Sequence, residues 1–80
     1  MPHIELSYFA QLREQANMAS ERLDTDADSL AALYAQVQHR HGFTLPAGLL
    51  RVAVNDRFCS WDQPLRDGDS VVFIPPVNGG

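Results

Sequence analysis

The sequence predicts an α+β fold, a mixed sheet of four to five strands with one main helix across one face and a flexible C-terminal tail. Three observations carry this. Residues 3–9, HIELSYF, alternate apolar and polar side chains. Residues 28–41 hold Leu30, Leu33, Tyr34 and Val37 at the i, i+3, i+4, i+7 spacing of an amphipathic helix. Residues 49–55 and 70–74 return to apolar, β-branched runs separated by turn residues. At 80 residues and 8.9 kDa the chain is one domain, expected to divide into a body over 1–76 and an extended Gly-Gly tail over 77–80. A chain of this size buries only about 60% of its unfolded surface, enough for one small core but not for a deep enclosed active site.

Taken in order, Ile4, Leu6 and Tyr8 should face inward from the first strand, leaving Glu5, Ser7 and Phe9 outward. Residues 10–16, AQLREQA, are good helix formers but too few to be stable alone, and predict a turn or two of helix. Residues 19–24 are expected to return as a short strand. The main helix is expected from Asp28 to His41, with Asp26 and Asp28 at its positive end, Arg40, His39 and His41 at its negative end, and Gly42 as its cap. In LLRVAVN, Leu50, Val52 and Val54 should point in and Arg51, Ala53 and Asn55 out. Asn55-Asp56 turns the chain toward Arg57 and Phe58, and Asp67-Gly68-Asp69 turns it into a last strand over 70–74, which Pro75-Pro76 must end.

Composition excludes several function classes. A net charge of −4 and six scattered arginines argue against a nucleic-acid partner. No apolar run approaches the roughly 20 residues of a membrane span, and MPHIELSYF lacks the features of a signal peptide. One cysteine, Cys59, permits neither an internal disulfide nor a multi-cysteine zinc site, which suits a reducing, cytoplasmic setting. There is no lysine, so no side chain can accept an isopeptide bond.

The tail stands out. Two prolines fix φ and cannot donate to a sheet ladder, so the chain must leave the last strand stiffly and in an extended direction. Four residues beyond Pro76 reach at most about 13–14 Å, far enough to enter a neighbouring protein's cleft. Gly79 and Gly80 carry no side chain to block a narrow channel. A C-terminal carboxylate is a poor electrophile. An ATP-dependent partner that converts it to an acyl-adenylate would let a sulfur nucleophile displace AMP, leaving a thioester or a thiocarboxylate.

The stretch VAVNDRFCSWDQPLRDGDSVVFIPPVNGG, with the opening IELSYFAQLRE, resembles the small sulfur-carrier subunits of molybdopterin synthase, the MoaD family, over nearly the whole chain. The resemblance implies a ubiquitin-like β-grasp fold and a non-catalytic subunit. It makes Gly80 the thioglycine and glycyl-adenylate position, with Val77, Asn78 and Gly79 entering the partner's active site. It also implies an apolar docking surface, carried here by Phe9, Phe58 and Ile74. The strand pattern adds Val72 to that surface. The implied partners are the large synthase subunit, a ubiquitin-activating-like adenylyltransferase that uses ATP, and a sulfurtransferase donor. The sulfur would go to cyclic pyranopterin monophosphate on the large subunit, forming molybdopterin, and no cofactor would be bound by the chain itself. The alternatives are delivery of sulfur to thiamine thiazole or another thiolated product, and a ubiquitin-like protein modifier or plain interaction domain.

Other signals are weaker. Cys59 reads as a small buried apolar residue rather than a nucleophile, because no base accompanies it. His39 and His41 are two apart on a helix and cannot face one metal together. Asp24, Asp26 and Asp28 imitate a calcium loop, but Ser29 and Ala35 stand where it needs Gly and Glu. Trp61 should pack beneath its loop beside Pro64 and Leu65. No catalytic set and no metal site is expected.

Overall fold

The computed structural model describes residues 2–76. The expected tail, Val77 to Gly80, and the division of the chain at residue 76 lie outside or at the limit of the described residues. Within them the chain forms β1 (His3–Tyr8), α1 (Ala10–Ala16), β2 (Ser20–Asp24), α2 (Leu30–His41), a 3-10 turn (Ala47–Leu49), β3 (Arg51–Val54), β4 (Arg57–Phe58) and β5 (Ser70–Ile74). The five strands make one sheet in the order β2-β1-β5-β3-β4. β1 and β5 are parallel at its centre, and every other pair is antiparallel. Parallel neighbours need a long crossover, and here α2 lies within the chain that separates them.

Ile4, Leu6 and Tyr8 of β1 are buried, as are Val52 and Val54 of β3 and Val71 and Phe73 of β5. The inward face of the sheet meets Leu30, Leu33, Tyr34 and Val37 of α2, all at 1% exposure or less. Leu12 and Ala16, one turn apart on α1, join the same core, which is how a seven-residue helix persists despite its unfavourable nucleation. Aromatic side chains link the layers. Tyr34 meets Phe73 edge-on with ring centres 5.0 Å apart, and Trp61 stacks on Phe73 at 5.8 Å, so Trp61 anchors its loop as expected.

Three departures from the expected element boundaries have a clear local cause. α2 starts at Leu30, because Ser29 is extended and its hydroxyl accepts the Ala32 N–H at 3.2 Å. The acidic residues Asp26 and Asp28 precede the helix. Its free N–H groups are met instead by the carbonyls of Gln63, from Leu30, and Trp61, from Ala31. β3 starts at Arg51, since Leu49 belongs to the 3-10 turn and is exposed. β1 ends at Tyr8, and Phe9 caps α1, accepting N–H groups from Leu12 and Arg13. Gly42 does close α2, at φ +73, with its N–H on the Gln38 carbonyl.

His41 was expected only to complement the helix end. It is instead folded inward, its Nε2 2.9 Å from Glu21 Oε1, with about a tenth of either side chain exposed. Tyr8 donates its hydroxyl to the same oxygen at 2.7 Å. Burial opposes ionisation of Glu21, but the hydrogen bonds from His41 and Tyr8 and the nearby charge of Arg40 outweigh it, so its carboxyl titrates below the ordinary value. Burial, followed by the bond to Glu21, pushes the Tyr8 phenol far up.

Candidate functional site

α2 covers one face of the sheet, and the other face contains the candidate site. Strand register places its residues in rows. Ser7 stands opposite Val72, Val72 opposite Ala53, and Ala53 opposite Phe58, so one row crosses four strands. At an interstrand spacing of about 4.8 Å this row is about 14 Å wide. The next row pairs Ile74 with Arg51. Phe9 follows Tyr8, whose partner is Phe73, and keeps an extended backbone at φ −129 and ψ 153. Alternation therefore brings Phe9 to the Ile74 row on the outward face.

The four expected docking residues thus share one face. Phe58 is 66% exposed and Phe9 52%, while Val72 and Ile74 are half-buried between neighbouring strands. Large aromatic side chains left in water at this density mark a surface suited to a partner. The local sequence explains why Phe58 is held there. Asn55 and Asp56, at φ 51 and 70, form a two-residue turn whose left-handed backbone matches the twist of the hairpin and brings β4 back against β3.

Two residues of the face were not among those expected. Ala53 was read as outward. It is outward, yet only 6% exposed, because Val72 and Phe58 flank it on either side and it forms the floor between them. Arg51 holds its guanidinium 5.8 Å from the centre of the Phe58 ring, an attraction to the electron-rich ring face. Both positions were legible in principle, since the same alternation that buries Val52 and Val54 turns Arg51 and Ala53 outward. The pairing of Ala53 with Phe58 was the missing information.

The face ends where β5 ends. Ile74 is followed by Pro75 and Pro76, which lack the N–H needed to extend the ladder between β1 and β3. The expected tail positions Val77, Asn78, Gly79 and Gly80 lie outside the described residues.

Cys59 is half-buried rather than buried. Its backbone N–H, at 3.2 Å, and its thiol, at 3.9 Å, both reach the Val52 carbonyl. Burial, reinforced by Asp69, pushes its thiol above the ordinary value, which opposes thiolate formation. Among the described residues no three His, Cys, Asp or Glu side chains are grouped to hold a metal ion, and no helix is long and apolar enough to cross a membrane.

The chain is 39% identical to the molybdopterin synthase sulfur carrier subunit of Escherichia coli, over 96% of this chain and 99% of that one. A solved Pyrococcus furiosus chain, described as molybdopterin converting factor subunit 1, superposes with a TM-score of 0.81 at 29% identity, covering 96% of this chain and all of the other. A solved complex of subunits 1 and 2 of molybdopterin-converting factor from Helicobacter pylori contains a chain that matches at a TM-score of 0.68 and 28% identity, covering 98% and 99%. The ThiS family model matches residues 6–80, from within β1 through Gly80, and the chain, with its ubiquitin-like β-grasp fold, belongs to the ThiS family.

Proposed function

We propose that this chain is a sulfur carrier of molybdenum cofactor biosynthesis, the small non-catalytic subunit of a molybdopterin synthase. One observation carries the reading. The exposed apolar face of Phe9, Phe58, Val72 and Ile74 reaches the end of β5, the central strand from which the sequence continues Pro75-Pro76-Val77-Asn78-Gly79-Gly80. A protein that covers this face also meets the point where the chain leaves the sheet, so docking and delivery of the tail become one event. The name of the Escherichia coli relative and the two-subunit Helicobacter pylori complex support the same reading.

The chemistry belongs to the terminal carboxyl and to the partners. A ubiquitin-activating-like adenylyltransferase joins the Gly80 carboxylate to AMP at the expense of ATP, with loss of pyrophosphate. Hydrosulfide, generated by a sulfurtransferase, then attacks the acyl carbon, AMP leaves and the thioacid gives up its proton, so that a thiocarboxylate stands in place of the carboxylate. The apolar face docks on the large subunit, Val77, Asn78 and Gly79 thread the active site, and Gly80 presents its sulfur to cyclic pyranopterin monophosphate. The body of the domain binds and aims, and supplies no acid or base to the transfer. Dependence on ATP suits the cytoplasm.

The test is intact-mass analysis after incubation with the activating enzyme, ATP and a sulfur source. The expected product has one oxygen replaced by sulfur, located by fragmentation to Gly80. A carboxylate that stays unchanged refutes the reading.

A further inference from the structure

Three of the six arginines, Arg51, Arg57 and Arg66, gather around Phe58 on a chain whose net charge is −4. Among the described residues the ion pairs are His3 with Asp24, Arg22 with Glu5 and His41 with Glu21, so none of these three arginines is paired. Arg51 lies against Phe58 on the outward face. Arg57 and Arg66 line an open groove of about 600 Å³, together with Phe58 itself, Asn55, Cys59 and Asp69.

The groove contains a single carboxylate, and that one faces its own backbone. Asp69 is 8% exposed and uses both oxygens, accepting from Asn55 Nδ2 at 3.1 Å and from the Arg66 backbone N–H at 2.8 Å. The exposed guanidinium groups of Arg57 and Arg66 therefore remain available to a ligand. β4 is only two residues long and forms the outer edge of the sheet, which leaves the groove open along that edge. Phe58 lines the groove and also stands on the apolar face, so the two surfaces adjoin at that residue.

We propose that the partner covering the apolar face carries an acidic segment that lies in this groove, its carboxylates meeting Arg57 and Arg66 and its edge reaching Arg51. The inference rests on the carrier reading and adds to it the chemistry of the partner's surface. Guanidinium groups favour carboxylates, which they bind in a planar two-point geometry. Opposed charge at the edge of an apolar contact acts chiefly on the rate of encounter and on the choice between partners.

The experiment measures association of the full chain with the purified large synthase subunit from the same organism, at low and at moderate salt. The charge-reversal pair Arg57→Glu and Arg66→Glu, the neutral pair Arg57→Gln and Arg66→Gln, and Arg51→Gln are compared with the wild type. All three positions are exposed, and circular dichroism checks the fold of each variant. The reversed pair is expected to slow association about tenfold at low salt, the neutral pair less, and both to flatten the salt dependence. Unchanged rates and salt dependence in the neutral pair, beside normal wild-type binding, overturn this inference alone. A wild-type chain that does not bind the large subunit overturns the carrier reading and the inference with it.

Discussion

Asn55 and Asp69 clamp the β3–β4 turn to the start of β5. Asn55 Nδ2 donates to Asp69 Oδ1 at 3.1 Å, and Asn55 Oδ1 accepts the Ser70 N–H at 3.0 Å. The Asn55 backbone N–H reaches the Ser70 carbonyl at 2.8 Å. This clamp sets the height of the hairpin relative to β5, and so aligns Phe58, Ala53 and Val72 in one row.

Replacing Asn55 by Ala removes both side-chain bonds and leaves Asp69 without one of its partners. It also puts a poorly suited residue at φ 51. The expected cost is about 2–4 kcal/mol, from two hydrogen bonds and the left-handed backbone. Urea denaturation measures it. A double-mutant cycle with Asp69→Ala should give a coupling of about 0.5–3 kcal/mol, whereas strictly additive losses would show that the two residues act separately.

The Tyr8, Glu21 and His41 cluster gives the fold a pH dependence at both ends. Glu21 titrates below its ordinary value of 4.5 in the folded chain, so its contribution is complete above that pH. It is lost as pH falls through the lower folded value, because the unfolded chain takes up the proton first. Tyr8 has the opposite sign. Its folded value is raised above 10.0, so the contribution is complete below that pH and declines as pH rises beyond it. Denaturation midpoints across a pH series should therefore fall at both extremes. Glu21→Gln should flatten the acid limb and Tyr8→Phe the alkaline one. Limbs unchanged by these substitutions would assign the pH dependence to other groups.

Much of the fold was legible because local and tertiary signals coincide. The spacing of Leu30, Leu33, Tyr34 and Val37 identifies α2, and these are the four residues of that helix that are buried. Pro75-Pro76 and Asn55-Asp56 act through their own backbone preferences, which need no knowledge of the rest of the chain. What was not legible depends on residues far apart in sequence. His41 looked like a surface charge because Glu21, twenty residues earlier, is brought to it only by the packing of β2 beside α2. Asp28 looked like a helix residue because the carbonyls of Trp61 and Gln63 that meet the helix start come from a loop 30 residues later. Phe9, Val72 and Ile74 could each be read as outward from the alternation of their own strands. Their single row and its neighbour required the β1-β5-β3-β4 order.

The apolar face should separate binding from stability. Phe58 is 66% exposed, so Phe58→Asp removes little buried surface and should change folding stability by under about 1 kcal/mol. A central aromatic of an interface commonly contributes 2 kcal/mol or more, so binding to the large subunit should weaken by about thirtyfold or more. Calorimetric titration together with thermal denaturation separates the two effects. Equal losses in both would mean that the face serves the fold rather than a partner.

The position of the final carbonyl is the strictest prediction. If Gly80 carries the sulfur, its acyl carbon must reach both the activating enzyme and the acceptor at a fixed distance from Pro76. One added residue displaces it by about 3.3–3.6 Å. Misplacement of a reacting atom by as little as about 1 Å can cost roughly a hundredfold in rate. A chain extended by a single uncleaved alanine should therefore keep its fold and its affinity for the large subunit while losing thiocarboxylation and sulfur transfer. Gly79→Val should retain the terminal carboxyl but obstruct a narrow channel, and is expected to impair transfer more than docking. Product formation in a reconstituted synthase, measured beside binding of the same variants, tests both. Sulfur transfer sustained by the extended chain would show that the reactive carbon is not the one on Gly80.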